Sequence, residues 1–205
     1  MEVVVGNARA LLPARIEDGG FNVRHARGVR VHLAGHIEAA FLCGSDHLDE
    51  GRSQLFEYDA GGGEVRKLTR GPILHPEADY GPDDQMVFSW ISLAANDQRA
   101  GMTVRPVGGG ESTVLEEGVY PMGPRWSADG DLILYVEADD RAGSRDAAAV
   151  VVREPLSDGK FSRLARGRDA IFSPDGNWII FSSQGSRGWR LQRMRPDGSG
   201  RKALG

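Results

Sequence analysis

Apolar residues along this chain come in short runs, and the stretches between them are rich in Gly, Pro, Asp and Ser. Short apolar runs bounded by turn residues predict strands. No stretch sustains the 3.6-residue spacing of an amphipathic helix. The one rival, residues 2–16, is interrupted by Gly6 and Pro13. The runs at 86–88, 132–136 and 178–181 are continuously apolar, which predicts strands buried on both faces. The pattern is that of an all-β chain.

The runs repeat. Tyr80-Gly-Pro-Asp-Asp-Gln-Met-Val-Phe-Ser, Trp126-Ser-Ala-Asp-Gly-Asp-Leu-Ile-Leu-Tyr and Phe172-Ser-Pro-Asp-Gly-Asn-Trp-Ile-Ile-Phe align without gaps, their starts 46 residues apart. A weaker copy runs from Gly35-His36-Ile37-Glu38 into residues 39–43. Each copy is an aromatic, a small residue, a turn on Asp83, Asp129 or Asp175, and then a strand. Asp bonds the local backbone, and Gly130 or Gly176 accepts positive φ. Asp84 takes the Gly place in the second copy and has to tolerate the left-handed region.

A second motif follows each run: strand, Gly-rich or Asp-Gly turn, strand. Its turns are Ala60-Gly-Gly-Gly, Gly108-Gly-Gly, Ser157-Asp-Gly-Lys and Pro196-Asp-Gly-Ser. About four short strands per repeat define a propeller blade. The repeats lie at about 36–71, 75–118, 123–167 and 168–205. The expected fold is an all-β propeller of four-stranded antiparallel blades with about four recognisable repeats. A short ring, a half-ring completed by a second copy, and part of a six-bladed ring all suit that count. Residues 1–35 hold strand-like pieces at 2–5 and 29–33, suited to ring closure or to a partial blade.

Ile171-Phe-Ser-Pro-Asp-Gly-Asn-Trp-Ile-Ile-Phe-Ser-Ser, followed by Leu191-Gln-Arg-Met-Arg-Pro-Asp-Gly-Ser-Gly-Arg-Lys-Ala-Leu, resembles the TolB-like propeller repeat, a WD-like repeat. The likeness covers roughly residues 36–205 and is closest in the last copy. It implies a propeller of about six blades, often with an export signal or an extra domain. It is specific for fold and says little about activity.

Charge and cysteine narrow the classes further. The net charge is −4, which gives no global drive toward nucleic acid or an anionic membrane. Residues 163–205 carry nine cations against three acids, so they are +6 and the remainder is −10. Solvated strand faces are the plain reading of that asymmetry; a basic face for an acidic partner is the functional one. Cys43 is the single cysteine, so no intrachain disulfide forms, and its apolar run predicts an inert buried thiol. The N-terminus lacks the pattern of a signal peptide, which points to the cytoplasm; the family resemblance points to the periplasm if a leader precedes it. No apolar run is long enough for a membrane span.

Motifs for catalysis are sparse. No Gly-x-Ser-x-Gly elbow and no phosphate loop occurs, and Ser199, flanked by Gly, sits in a hairpin turn. The glycine triplets stand where hairpins must turn. Among the histidines 25, 32, 36, 47 and 75 only His32 and His36 stand four apart, and no cysteine cluster accompanies them. His75, before Pro76, resembles the His-Pro context of metal-binding histidines in oligogalacturonate lyases, but plain blades share that context. Glu137, Asp139, Asp140 and Asp146 lack calcium-loop spacing. Trp126 and Trp178 occupy repeat positions and are expected in the core. Trp189, near Arg187, Arg190 and Arg193, forms a candidate basic-aromatic patch.

The expected function is a non-enzymatic scaffold for protein–protein interaction, without cofactor or metal, binding through the variable segments 47–53, 94–101 and 139–146. A protein partner is expected, with no nucleic acid and no membrane insertion, and a homodimer if the ring is incomplete. The alternative is a propeller enzyme or saccharide binder at the channel mouth, lyase-like, with a metal near His75. Candidate binding residues are His75, Trp189, Arg190 and Arg193; the structural turn residues are Asp83, Asp129, Gly130, Asp175 and Gly176.

Overall fold

The computed structural model describes residues 40–44, 54–58, 65–70, 73–74, 77–82, 84–94, 99–106, 110–118, 120–138, 148–156, 158–186 and 188–205. His75, Asp83, Arg187, residues 1–35 and the segments 47–53 and 139–146 lie outside these. The chain divides into two compact units, Met1–Glu77 with Ser92–Gln98, and Ala78–Ile91 with Arg99–Gly205. Every element among the described residues is a strand.

In the first unit, β1 (Ala40–Gly44), β2 (Gln54–Tyr58) and β3 (Val65–Lys67) pair antiparallel in that order. Leu55 is buried at its centre, and its backbone N–H donates to Thr69 Oγ1 at 2.9 Å. A two-residue strand, β4 (Ile73–Leu74), follows.

The second unit holds three antiparallel sheets. The second sheet pairs β5 (Ala78–Tyr80), β6 (Gln85–Ser92), β7 (Ala100–Pro106) and β8 (Thr113–Glu117), each with the next. The third pairs β9 (Tyr120–Trp126), β10 (Ile133–Ala138), β11 (Ala149–Arg153) and β12 (Phe161–Arg166). The fourth pairs β13 (Arg168–Phe172), β14 (Ile179–Gly185), β15 (Gly188–Met194) and β16 (Lys202–Ala203). The fold is therefore all-β: among the described residues the first sheet shows three antiparallel strands, and the later sheets are four-stranded antiparallel blades.

Strand alternation splits each sheet into two apolar faces, and the faces of neighbouring sheets interlock. Ile133, Tyr135 and Val151 of the third sheet pack with Val87, Met102, Val104 and Leu115 of the second, together with Trp126. Leu134, Val136, Val150 and Val152 point the other way and pack with Ala170, Ile179, Phe181 and Met194 of the fourth. The third sheet is thus buried on both sides. Each fully buried side chain of this size contributes about 1.5–3 kcal/mol.

Polar ties add direction to this packing. The buried Asp79 carboxylate accepts from the Trp126 backbone N–H at 2.9 Å. Arg153, also buried, donates to the Leu115 carbonyl, to Glu116 Oε2 (3.0 Å) and to the Leu156 carbonyl (2.8 Å). Both ties join adjacent sheets, and both satisfy groups that would be costly to bury alone.

The opening turns of the third and fourth sheets share one hydrogen-bond pattern, and the second sheet's turn corrects one alignment. Ser127 Oγ donates to Asp129 Oδ1 (2.5 Å) and accepts from Leu132 N–H (2.9 Å). Ser173 Oγ does the same with Asp175 Oδ1 (2.5 Å) and Trp178 N–H (3.0 Å). Gly130 and Gly176 have φ of 81° and 70°, and Asp84 stands at 53°, in the left-handed region as its place in the repeat requires. In the second copy, however, the bond that closes the turn runs from Gly81 N–H to Gln85 O, whereas Ser127 and Ser173 bond to Leu132 O and Trp178 O. Gln85, not Met86, therefore corresponds to Leu132 and Trp178. That turn is one residue shorter, and the gapless alignment places its strand on the wrong face from there on. Gly81 replaces Ser for a packing reason: a Cβ there would lie 2.6 Å from the Trp126 ring.

Candidate functional site on the outward face of the fourth sheet

The corrected register identifies which face of each sheet looks toward the next. Val87, Leu134 and Ile180 are equivalent, and the first two are buried against the following sheet. Ile180 has no sheet to meet among the described residues, and its face is where the fourth sheet departs from the other two. Expected burial on both faces of 178–181 holds for Ile179 and Phe181, but Ile180 and Trp178 are only half-buried.

Cross-strand pairs define what this face carries. Ile180 pairs with Ile171 and with Arg193, Ser182 with Arg168 and Leu191, Gln184 with Trp189, and Arg193 with Lys202. Paired residues point to the same side. Ile171, Leu191 and Trp189 are 52%, 53% and 40% exposed. In the third sheet Val150 is the counterpart of Leu191 and Val152 of Arg193, and both are buried. Apolar residues of a blade interior are thus retained here, without a described sheet against them, and a guanidinium stands at a Val position.

The cations on this face are held by aromatic rings. The Arg168 guanidinium lies 3.6 Å from the Trp189 ring centroid, and that of Arg193 lies 4.1 Å from Trp178; Arg195 approaches Trp178 at 5.0 Å. Such stacks fix a guanidinium in one orientation while leaving its charge outward. Arg168 has one carboxylate nearby, the exposed Asp169 at 3.4 Å. The Nε atoms of Arg168 and Arg193 are covered and make no hydrogen bond. No Asp or Glu stands among the cross-strand pairs that make up the face.

The expected patch around Trp189 is therefore redrawn. Arg193 shares the face of Trp189 but stacks on Trp178. Arg190 pairs with Ser183 and points to the opposite side. The partner of Trp189 is Arg168, which the sequence reading passed over along with Ile171 and Leu191. Trp126 is a core residue as expected, whereas Trp178 serves as a platform for arginines.

The turn residues are held by their own bonds. The Ser173 hydroxyl, then Asn177, hold the Asp175 carboxyl down to about 2. Ser127 likewise holds Asp129 below the usual carboxylate range, as Ser199 does Asp197. Ser199 donates its backbone N–H to Asp197 at 2.8 Å, a turn contact. Burial, then the Glu116 carboxylate, pushes the Tyr135 hydroxyl up. Among the described residues no group of three His, Cys, Asp or Glu side chains is placed to share a metal ion. No helix among them is long and apolar enough to cross a membrane.

Stacked four-stranded sheets, repeated Ser–Asp turns and Asp-Gly hairpins give the chain a β-propeller fold, similar to that of TolB. Its sequence is 30% identical over 199 residues to the Tol-Pal system protein TolB of Anaeromyxobacter dehalogenans strain 2CP-C, an overlap of 89% of this chain and 44% of that protein. The chain thus spans less than half the length of this curated relative. TolB from Acinetobacter baumannii superposes with a TM-score of 0.63 at 20% identity, covering 82% of this chain and 40% of that one. An oligogalacturonate lyase in complex with manganese superposes with a TM-score of 0.61 at 14% identity, covering 82% and 50%. At such identities these two structures speak to the fold alone. No family model matches the chain.

Proposed function

We propose that this chain is a TolB-like propeller scaffold that works by binding another protein, not by catalysis. The observation that carries this reading is the sequence likeness, 30% identity over 199 residues, to a Tol-Pal system protein. It supports a protein as the partner and makes Pal the first one to try.

The test is a calorimetric titration of the full chain with the Pal protein encoded in the same genome. A saturable isotherm with a Kd of about 10 μM or tighter, near −7 kcal/mol, is the expected result. Absence of heat and of any mobility shift at tenfold higher concentrations would count against this partner.

A further inference from the structure

We infer that Asp158–Gly159, in the hairpin between β11 and β12, is a site of spontaneous isomerisation to isoaspartate, and that the other described Asp-Gly turns are tethered in a form that resists it. Asp-Gly pairs occur at 18–19, 129–130, 158–159, 175–176 and 197–198. The first lies outside the described residues, and the other four can be compared.

The chemistry needs a free carboxyl beside an unhindered amide. The Gly nitrogen bonds to the Asp Cγ, and its proton leaves with the carboxyl OH as water, closing a succinimide ring. Water then reopens the ring. Attack at Cγ restores Asp. Attack at the α-carbonyl leaves the chain running through Cγ and frees the α-carboxyl, which is isoaspartate. Glycine in the second place favours closure because it has no Cβ to obstruct the ring. No oxidant or cofactor enters.

The nucleophile has the same setting in all four turns. Each Gly N–H donates to the carbonyl three residues back: Gly130 to Ser127 (3.1 Å), Gly159 to Leu156 (3.0 Å), Gly176 to Ser173 (2.9 Å) and Gly198 to Arg195 (2.8 Å). All four Asp residues are exposed, so access to water does not separate them. The carboxyl does. Asp129, Asp175 and Asp197 each accept, through Oδ1, the backbone N–H two residues on, at 3.2, 3.1 and 2.8 Å. The Ser127 and Ser173 hydroxyls add a bond to the first two. Ring closure would first have to break these tethers. The same bonds hold all three carboxyls below the usual range, and an ionised carboxylate has no OH to lose. In the fourth turn the corresponding donor, Lys160 N–H, goes to Glu154 Oε2 at 3.3 Å instead. Gly130, Gly176 and Gly198 have positive φ and Gly159 does not, so this hairpin is of another kind. Among the described residues nothing bonds the Asp158 carboxylate. Isoaspartate there would lengthen the backbone between Leu156, whose carbonyl serves Arg153, and Lys160, whose carbonyl closes the hairpin on Glu154 N–H.

The test is peptide mapping of the full chain after prolonged incubation at about pH 6 and 37 °C, folded and, in parallel, in concentrated urea. The isoaspartyl peptide separates from its aspartyl isomer at equal mass and is identified by fragmentation. The urea sample gives the intrinsic rate of each pair, so the unfolded-to-folded ratio reads the fold alone. A ratio near one is expected at Asp158, and about tenfold or more at Asp129, Asp175 and Asp197. Ser173→Ala removes one tether from Asp175 and should lower its ratio severalfold; Asp129 and Asp197 in the same sample correct for any general loosening. A ratio at Asp158 as high as at the other three, or isoaspartate forming as fast at any of them in the folded chain, overturns the assignment. An Asp175 ratio unmoved by Ser173→Ala overturns the tether as the cause.

Discussion

The third and fourth sheets have the same strand order, the same Ser–Asp turn and turns and central strands 46 residues apart, yet among the described residues one is buried on both faces and the other on one. At four successive positions of the central strand the third sheet has Ile133, Leu134, Tyr135 and Val136, all buried. The fourth has Ile179, Ile180, Phe181 and Ser182, of which only Ile179 and Phe181 are. The first and third of each set face the preceding sheet, and both sheets keep them apolar. The second and fourth face onward, and there the two part: Leu134, Val136, Val150 and Val152 against Ile180, Ser182, Leu191 and Arg193. The turn and the inward face build the blade.

The largest effect should come from breaking the shared part. Phe181→Ala empties a fully buried position and is expected to cost about 3–5 kcal/mol, read from the urea midpoint. The sharper contrast is between counterparts on the onward face. Val150→Ala is expected to cost about 2 kcal/mol as buried methyl groups are lost. Leu191→Ala, removing more carbon from a half-exposed site, should stay within about 0.5 kcal/mol. A Leu191→Ala loss matching that of Val150→Ala would mean that the fourth sheet is covered in solution.

Two arginines draw the same line at the next magnitude. Arg153 is buried and serves four acceptors, the Glu154 and Leu156 carbonyls just past its strand and the Leu115 carbonyl and Glu116 carboxylate of the second sheet. Arg153→Ala strands the Leu115 carbonyl and the Glu116 carboxylate, and a loss of about 1–3 kcal/mol is expected. Arg193→Ala removes a cation–π contact at a partly exposed site, worth about 0.5–1 kcal/mol. Thermal melts of the two variants side by side would settle the order. Arg193→Ala equalling Arg153→Ala would make Arg193 a structural residue.

Glycine counterparts in the opening turn differ for a reason the sequence does not display. Gly130 and Gly176 both need positive φ, and an alanine in that region costs about 1–2 kcal/mol. A Cβ at Gly176 would meet open space, but at Gly130 it would stand 2.5 Å from Pro82 Cγ in the preceding sheet's turn. Gly130→Ala should therefore destabilise more than Gly176→Ala, by enough to separate their urea midpoints. Equal losses would mean that the Pro82 contact yields freely.

These contrasts mark where sequence reasoning reached and where it stopped. Turn residues and apolar runs are local, so Asp129, Gly130, Asp175, Gly176 and the strands after them were legible. Facing was not, because a strand apolar on both sides carries no alternation to fix its parity. The one-residue deletion between Gly81 and Gln85 was hidden for that reason. Exposure of Ile171 and Leu191 was hidden for a related one: an apolar residue in a strand reads as core until its neighbouring sheet is known. The Arg168–Trp189 stack joins two strands that are not adjacent in sequence, so neither residue points to the other. An available signal was Arg193 at the repeat position of Val152.

The smallest effect concerns the turn itself. Asp129 and Asp175 both accept from a Ser hydroxyl at 2.5 Å, but Asp175 also accepts from Asn177 Nδ2 at 2.9 Å, while the third sheet has Asp131 at that position. The Ser173 hydroxyl holds Asp175 down to about 2 together with this extra donor. A carboxylate with a depressed folded pKa supports the fold above its unfolded value, near 3.9, and that support is lost as pH falls through the folded value. The Asp175 turn should thus hold from neutral pH to below 4 and loosen as pH approaches 2, with Asp129 protonating at a higher pH. Carbon-detected NMR of the two carboxyls between pH 5 and 1.5 would show this order. Asn177→Ser should bring the Asp175 midpoint up toward that of Asp129. If instead the midpoints already coincide in the parent chain, the Asn177 bond contributes nothing and the two turns are equivalent in strength as well as in form.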